Sequence, residues 1–179
     1  MAEKNRKLDH KITLRPIKVS DIEDFMVWAS DERVSHFCTW ETYTSHDQAL
    51  HFFNNNAIPH PWYQAICTDD RAIGSISVTP NSGNRSCTAE LGYVLAFDHW
   101  GKGIATEAVK IAASTIFRDW PLLERLEAFV DVDNIGSQRV LAKSGFVREG
   151  VLRKYDVVKG KSRDMVVFSL LSSYQHLNP

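Results

Sequence analysis

Trp100-Gly101-Lys102-Gly103-Ile104-Ala105-Thr106-Glu107-Ala108 decides the reading of this chain, because it joins a strand-like run to a helix-like one. Upstream, Ala89-Glu90-Leu91-Gly92-Tyr93-Val94-Leu95 is rich in residues that suit a pleated strand. Downstream, Ile104, Ala105, Ala108, Val109, Ala112 and Ile116 recur at helical spacing and form one apolar stripe. Two glycines and an alanine at a helix entrance let a ligand approach the backbone, whose first amides have no partner within the helix. The macrodipole adds positive potential there. The pattern predicts a cradle for a phosphate or pyrophosphate; a tight turn using the same glycines for conformation alone is the alternative. A Walker-type loop is excluded, since nowhere does a glycine, after four residues, meet Gly-Lys-Ser or Gly-Lys-Thr. A dinucleotide fingerprint would want a third small residue at Thr106 and an acid about 20 residues on, near Glu124 or Glu127. The cradle lies past the middle of the chain, which leaves too little sequence for a doubly wound sheet.

A second motif follows the strand-like Leu126-Glu127-Ala128-Phe129-Val130. Asn134-Ile135-Gly136-Ser137-Gln138-Arg139-Val140-Leu141-Ala142-Lys143-Ser144-Gly145-Phe146 reads as a short helix with Ile135, Val140 and Leu141 as its apolar positions. Gly145 stands where a left-handed C-terminal residue is wanted. Together the two stretches resemble motifs A and B of the GNAT superfamily of N-acetyltransferases, and in particular the branch containing the Rim-type ribosomal-protein N-terminal acetyltransferases. Thr13-Leu14-Arg15-Pro16, Ala89-Glu90-Leu91-Gly92-Tyr93 and Glu149-Gly150-Val151-Leu152-Arg153 resemble the same branch, so the likeness runs from about residue 11 to 171.

The resemblance implies an α/β (α+β) fold: a mixed, mostly antiparallel central sheet with splayed central strands and flanking helices. It implies acetyl-CoA as donor, coenzyme A as product and no metal. Tyr93, Val94 and Leu95 are then expected to offer main-chain bonds to pantetheine, with Gly92 as a bulge that turns the strand edge outward. The pyrophosphate is expected on the loop Trp100, Gly101, Lys102, Gly103, Ile104, Ala105 and Thr106. Superfamily members prefer Gln or Arg where Trp100 stands. Asn134 matches the motif-B asparagine, a role compatible with capping its helix. Where many relatives carry an acidic tyrosine, this chain has Leu141, so Ser137 (itself also a cofactor contact) or water is the expected acid. Glu90 is the expected base, acting through a water. The acceptor channel is expected between the aromatic loop at 35–44, with Phe37, Trp40 and Tyr43, and a final hairpin carrying Tyr155. A protein N-terminus, polyamine, aminoglycoside or arylalkylamine all fit such walls. A non-catalytic acyl-CoA-binding or partner-binding module on the same fold would keep the cradle without base and acid. A nicotinamide-dependent oxidoreductase has only the glycine pattern in its favour.

Composition bounds the remainder. The 179 residues, 44% hydrophobic, suit one domain with a sizeable core. A net charge of −1 gives no global reason to expect nucleic acid or an acidic membrane surface. Between Gln138 and Met165, however, eight Lys/Arg face three acids, a field that a polyanionic cofactor can use in part. Cys38, Cys67 and Cys87 are scattered without metal-binding spacing and read as reduced, near-core residues. The N-terminus has no apolar signal core, and no apolar run reaches spanning length, which predicts a soluble cytoplasmic protein; monomer and homodimer both fit the sequence.

Along the chain, residues 1–10 read as a flexible polar start and 11–174 as a single domain. Ile12–Ile17 reads as an edge strand, because Pro16 cannot donate to a ladder. Ser20-Asp21-Ile22-Glu23 and Ser45-His46-Asp47-Gln48 are capping-box signatures, opening helices to Ala29 and Phe53. Strands follow at 62–68, 72–79 and 86–95. The hairpin 146–155/163–171 closes the domain around Lys159-Gly160.

Overall fold

The structure, a computed structural model, describes residues 11–173. The expected flexible start over 1–10 lies outside them. Strand β1 (Ile12–Pro16) is an edge strand, as its proline requires. Its antiparallel partner β2 (Tyr63–Thr68) turns into β3 (Arg71–Pro80) through Asp69 and Asp70, both at positive φ, the conformation a two-residue hairpin needs. β4 (Thr88–Leu95) pairs antiparallel with β3, β5 (Arg125–Asp131) lies parallel to β4, and β7 (Lys161–Leu171) separates β5 from β6 (Val147–Val158). The sheet order is β1-β2-β3-β4-β5-β7-β6, with one parallel pair, as the resemblance implied.

Helices cover both faces. On one, α4 (Ile104–Asp119) buries Ile104, Ala108, Val109, Ala112 and Ile116 against β3, β4 and β5. Helix α5 (Ile135–Lys143) adds Leu141, fully buried, to the same core. Ile135, expected inward, is instead exposed on the first turn of α5. On the other face, α1 (Ile22–Ala29) and α3 (His46–Phe52) pack Phe25, Trp28 and Ala49 against Ala65 and Cys67. A short α2 (Glu32–Ser35) stands at the head of the expected aromatic loop.

Three local expectations shift. The Ser45 hydroxyl does cap α3 by accepting the Gln48 N–H, but Ser20 caps nothing, and Asp21, which precedes α1, makes no side-chain cap bond to it. The Asp21 carboxylate accepts the Lys18 N–H and both nitrogens of the Arg15 fork at 2.8 Å. Burial works against its ionisation, and these bonds outweigh it, holding the carboxyl below the ordinary range. Gly92 forms no bulge: the β3–β4 register runs unbroken from Gly74↔Leu95 to Pro80↔Ala89. The final hairpin is longer than expected, and its register breaks at Arg148/Gly150 and Leu152/Asp156. All three cysteines are free. Among the described residues no helix is long and apolar enough to cross a membrane.

Candidate active site

The opening on which the site depends is set by pairing. β4 and β5 are matched only at Thr88↔Arg125, Ala89↔Leu126 and Glu90↔Glu127; beyond Glu90 the two strands part. Which backbone groups enter that gap follows from alternation along β4. Thr88 C=O accepts from Asn81 and the Ala96 N–H donates to Ile73, so even-numbered residues turn their main chain toward β3. Cys87 C=O faces the other way, accepting from Glu124 and Arg125. Tyr93 therefore presents both N–H and C=O to the gap, and Leu95 its N–H. Val94 does not: its carbonyl lies against Gly74, where an added Cβ would stand 2.2 Å from it. The Val94 main chain is thus engaged with β3 and not turned to the gap, where a main-chain contact was expected of it. The Leu95 carbonyl is taken by Trp100, whose indole Nε1 donates to it at 2.9 Å. Trp100 accordingly straps the loop back to the strand, packed on Phe97 at 5.0 Å.

The loop after β4 has the conformation the glycines predict. Gly101 and Gly103 have φ of 70° and 84°, and nothing lies within 4 Å of where a Cβ would stand on either, so the surface above them is open. Gly103 is the residue that enters α4, and the first intrahelical bond runs from the Glu107 N–H to the Gly103 C=O. The amides of Ile104, Ala105 and Thr106 precede it and point out of the helix. The Ser144 hydroxyl, at the end of α5, donates to the Val140 carbonyl at 2.8 Å and lies 3.3 Å from the Thr106 carbonyl of α4. Lys102 is exposed beside these amides, and Arg139 and Lys143 are exposed on α5. Two other members of the basic field, Lys159 and Arg163, are committed elsewhere: Lys159 donates to the Ser35 carbonyl and Arg163 pairs with Asp131.

Asn134 caps α5, its Oδ1 accepting the Ser137 N–H at 3.0 Å. Ser137 in turn meets a partner absent from the sequence-based expectations. The Tyr93 hydroxyl lies 2.7 Å from Ser137 Oγ and 3.1 Å from the Ser137 carbonyl oxygen, bridging β4 to α5. The alternation of β4 could have signalled that the Tyr93 side chain shares the α4 and α5 face with Leu91 and Leu95. Its partner could not be read from spacing.

Glu90 sits on the opposite face of β4, at the last rung before the strands part. Desolvation, then the neighbouring carboxylates Glu127 and Asp156, raise its carboxyl above the ordinary glutamate range, with Arg85 opposing. Glu127, buried, is held by Arg85, by Arg125 at 3.2 Å and by Asn81 at 3.4 Å. Glu127, Asp156 and Arg85 were not among the expected site residues.

The expected acceptor aromatics divide into two groups. Trp40 and Tyr43 meet edge-to-face at 5.7 Å and, with Glu41, Asp47 and Phe52, line a surface hollow of about 530 Å³. Phe37 packs on His36. Tyr155 instead stacks on Phe129 of β5, 5.1 Å between centroids, on the side of the sheet that carries Glu90. Lys159 links the groups, since its bond to Ser35 brings the hairpin tip onto α2.

Residues 11–147 match the family model described as "Acetyltransferase (GNAT) domain". The chain is 33% identical to the protein named "Probable N-acetyltransferase YjcK" of Bacillus subtilis (strain 168), over 90% of this chain and 94% of that one. Among solved structures it is similar to RimJ of Mycobacterium smegmatis in complex with CoA-disulfide (TM-score 0.74, 25% identity, 91% of this chain and 83% of that one). Its fold also matches spermidine N-acetyltransferase from Vibrio cholerae in complex with CoA and spermine (TM-score 0.77, 22% identity, 93% and 98%).

Proposed function

The chain belongs to the GNAT acetyltransferase family, and from that premise we propose that it moves the acetyl group of acetyl-CoA to a primary amine by direct attack. The observation that carries this reading is the placement of two unlike groups on either side of one gap. Glu90 stands on one face where β4 leaves β5, and the Ser137–Tyr93 pair stands on the other.

The residues fit the donor. The open left-handed glycines and the free amides of Ile104, Ala105 and Thr106 suit a pyrophosphate. The outward N–H and C=O of Tyr93 and the Leu95 N–H suit the amide-bearing pantetheine arm, which would lie along β4 as an added strand. Asn134 keeps its side-chain amide N–H groups available to that arm while its oxygen caps the helix. Acetyl-CoA, when bound, supplies an activated carbonyl and a thiolate leaving group.

Glu90 then accepts the proton that the amine loses as its nitrogen bonds to carbon, through a water. Its raised affinity for protons suits that task, since a base works best when its own pKa approaches the working pH. Ser137, or a water at its position, hydrogen-bonds the departing sulfur. Leu141 cannot, being an apolar side chain buried in the core. The amine stem is a protein N-terminus or a small molecule; the stacked Phe129 and Tyr155 offer it an apolar wall on the Glu90 side. With Glu90 as base, turnover falls as pH drops through a pKa above the usual glutamate range. Glu90→Gln keeps the size and removes the base, so coenzyme binding persists while turnover falls about a hundredfold. In that variant the acidic limb of the pH–rate profile flattens. An unchanged turnover number would remove Glu90 from the mechanism.

A further inference from the structure

The Tyr93 side chain spans from β4 to the start of α5, and its hydroxyl has two acceptors within reach but one proton to give. It lies 2.7 Å from Ser137 Oγ and 3.1 Å from the Ser137 carbonyl oxygen. The carbonyl can only accept. If the phenol donates to it, Ser137 satisfies itself by donating its own hydrogen to the phenol oxygen, and that hydrogen is withdrawn from the gap. If the phenol donates to Oγ, the Ser137 hydrogen is released to a third partner. Position, not acidity, separates these states, because each keeps both protons where they are.

We propose that Tyr93 is a positioning residue for thiolate departure, donating to Ser137 Oγ so that the Ser137 hydrogen is presented to the sulfur of the bound coenzyme. This rests on the reading of Ser137 as the donor to that sulfur. The geometry restricts the serine further: its amide is fixed by Asn134 Oδ1, so the hydroxyl swings only about its own bonds, and Tyr93 occupies one of its directions. Tyr93 is not itself the acid. Burial raises its hydroxyl pKa above the ordinary tyrosine value, with the Ser137 bond opposing, and the phenol keeps its proton throughout. In the transfer the C–N bond forms as the C–S bond breaks. The amine proton goes to Glu90, and the thiolate, stabilised by the Ser137 hydrogen bond, takes its proton from solvent.

The test uses the whole protein with coenzyme A as probe and reads the thiol of bound coenzyme A, besides turnover. A donor aimed at the sulfur favours thiolate, so the pH dependence of coenzyme A affinity by calorimetry places the bound thiol pKa below that of the free coenzyme. Ser137→Ala returns it to the free value and lowers turnover about tenfold. Tyr93→Phe keeps ring and packing, moves the bound thiol pKa upward and slows turnover about fivefold, the scale of one hydrogen bond. Its KM for acetyl-CoA stays within about twofold, since Tyr93 main-chain contacts are untouched. The double variant is no slower than Ser137→Ala alone. Fluorotyrosine at position 93, a stronger donor of nearly the same shape, shifts the bound thiol pKa the opposite way from phenylalanine and covers the case in which Tyr93→Phe folds poorly. Multiplying losses in the double variant, or a bound thiol pKa that neither replacement at 93 moves while Ser137→Ala does, overturns the positioning role alone. A Ser137→Ala enzyme with wild-type turnover and thiol pKa removes Ser137 as donor, and the Tyr93 proposal with it.

Discussion

Gly103 and Lys102 are adjacent, yet they act on an anion by different physics. Gly103 holds a φ of 84° that a β-branched residue resists, and this conformation aims the first amides of α4 outward. Lys102 adds an exposed charge on a flexible stem, which water and salt screen. Gly103→Val is therefore expected to weaken coenzyme A binding more than Lys102→Ala does, by calorimetry at physiological salt. The reverse order would mean that the lysine charge, not the backbone cradle, carries the pyrophosphate. At the same scale, Glu90 shows how a residue's chemistry depends on distant neighbours. Its place on a strand was legible from the run Ala89–Leu95, but its proton affinity depends also on Glu127 and Asp156, which come from β5 and β6.

At the scale of elements, the splay between β4 and β5 has a counterpart in the tight seam between β3 and β4. Gly74 is buried in that seam, with Val94 O at 2.2 Å and Leu95 Cα at 2.9 Å from the position of an added Cβ. Neither is the far end of a flexible side chain, so an alanine must push the strands apart. Gly74→Ala is expected to destabilise the protein by about 3 kcal/mol, seen as a lower urea midpoint. Gly92→Ala is the control, since its nearest neighbour, Ser77 Oγ, stands at an ordinary 3.5 Å. Equal midpoints for the two variants would show that the seam relaxes at no cost. The contrast corrects the sequence reading, which placed the special glycine of this region at 92. A glycine inside a strand pattern signals a close approach or a bulge, and the pattern alone does not say which of two glycines has a backbone against it.

Across the whole molecule, the far end of the sheet is joined by charge. Arg125 of β5 grips Glu149 of β6 with both guanidinium nitrogens, at 2.8 and 2.6 Å, and Ser169 of β7 donates to the same carboxylate. These bonds hold the Glu149 carboxyl down to about 2. A depressed folded-state pKa stabilises the protein above the unfolded value, about 4.3, and that contribution is lost as pH falls through the folded one. The urea midpoint is therefore expected to fall between about pH 4.5 and 2, and to fall less steeply for Glu149→Gln, which has no charge to lose. Parallel curves would mean that the pair, exposed as it is, contributes nothing measurable. A second long-range tie, from Lys159 to the Ser35 carbonyl 124 residues earlier, draws the hairpin tip onto α2.

What the sequence determined by itself was local. The cradle at 100–106, the stripe of α4 and the Asn134 cap with Ser137 one turn on are each written within one or two turns of chain, where backbone periodicity alone decides which groups face together. The motifs in these stretches also carry the resemblance to the family, and the match over residues 11–147 agrees with it. Only the tertiary structure decided what crosses between elements. Strand register chose Tyr93 over Val94 for the gap, the parting of β4 from β5 opened it, and the seat of α5 put Ser137 against a phenol 44 residues earlier. Tyr155 reached Phe129 by a break in the β6–β7 register that no repeat in the sequence announces. The physical reason is common to all four: a side chain's direction follows from its own element, but its partner depends on how several elements share one sheet.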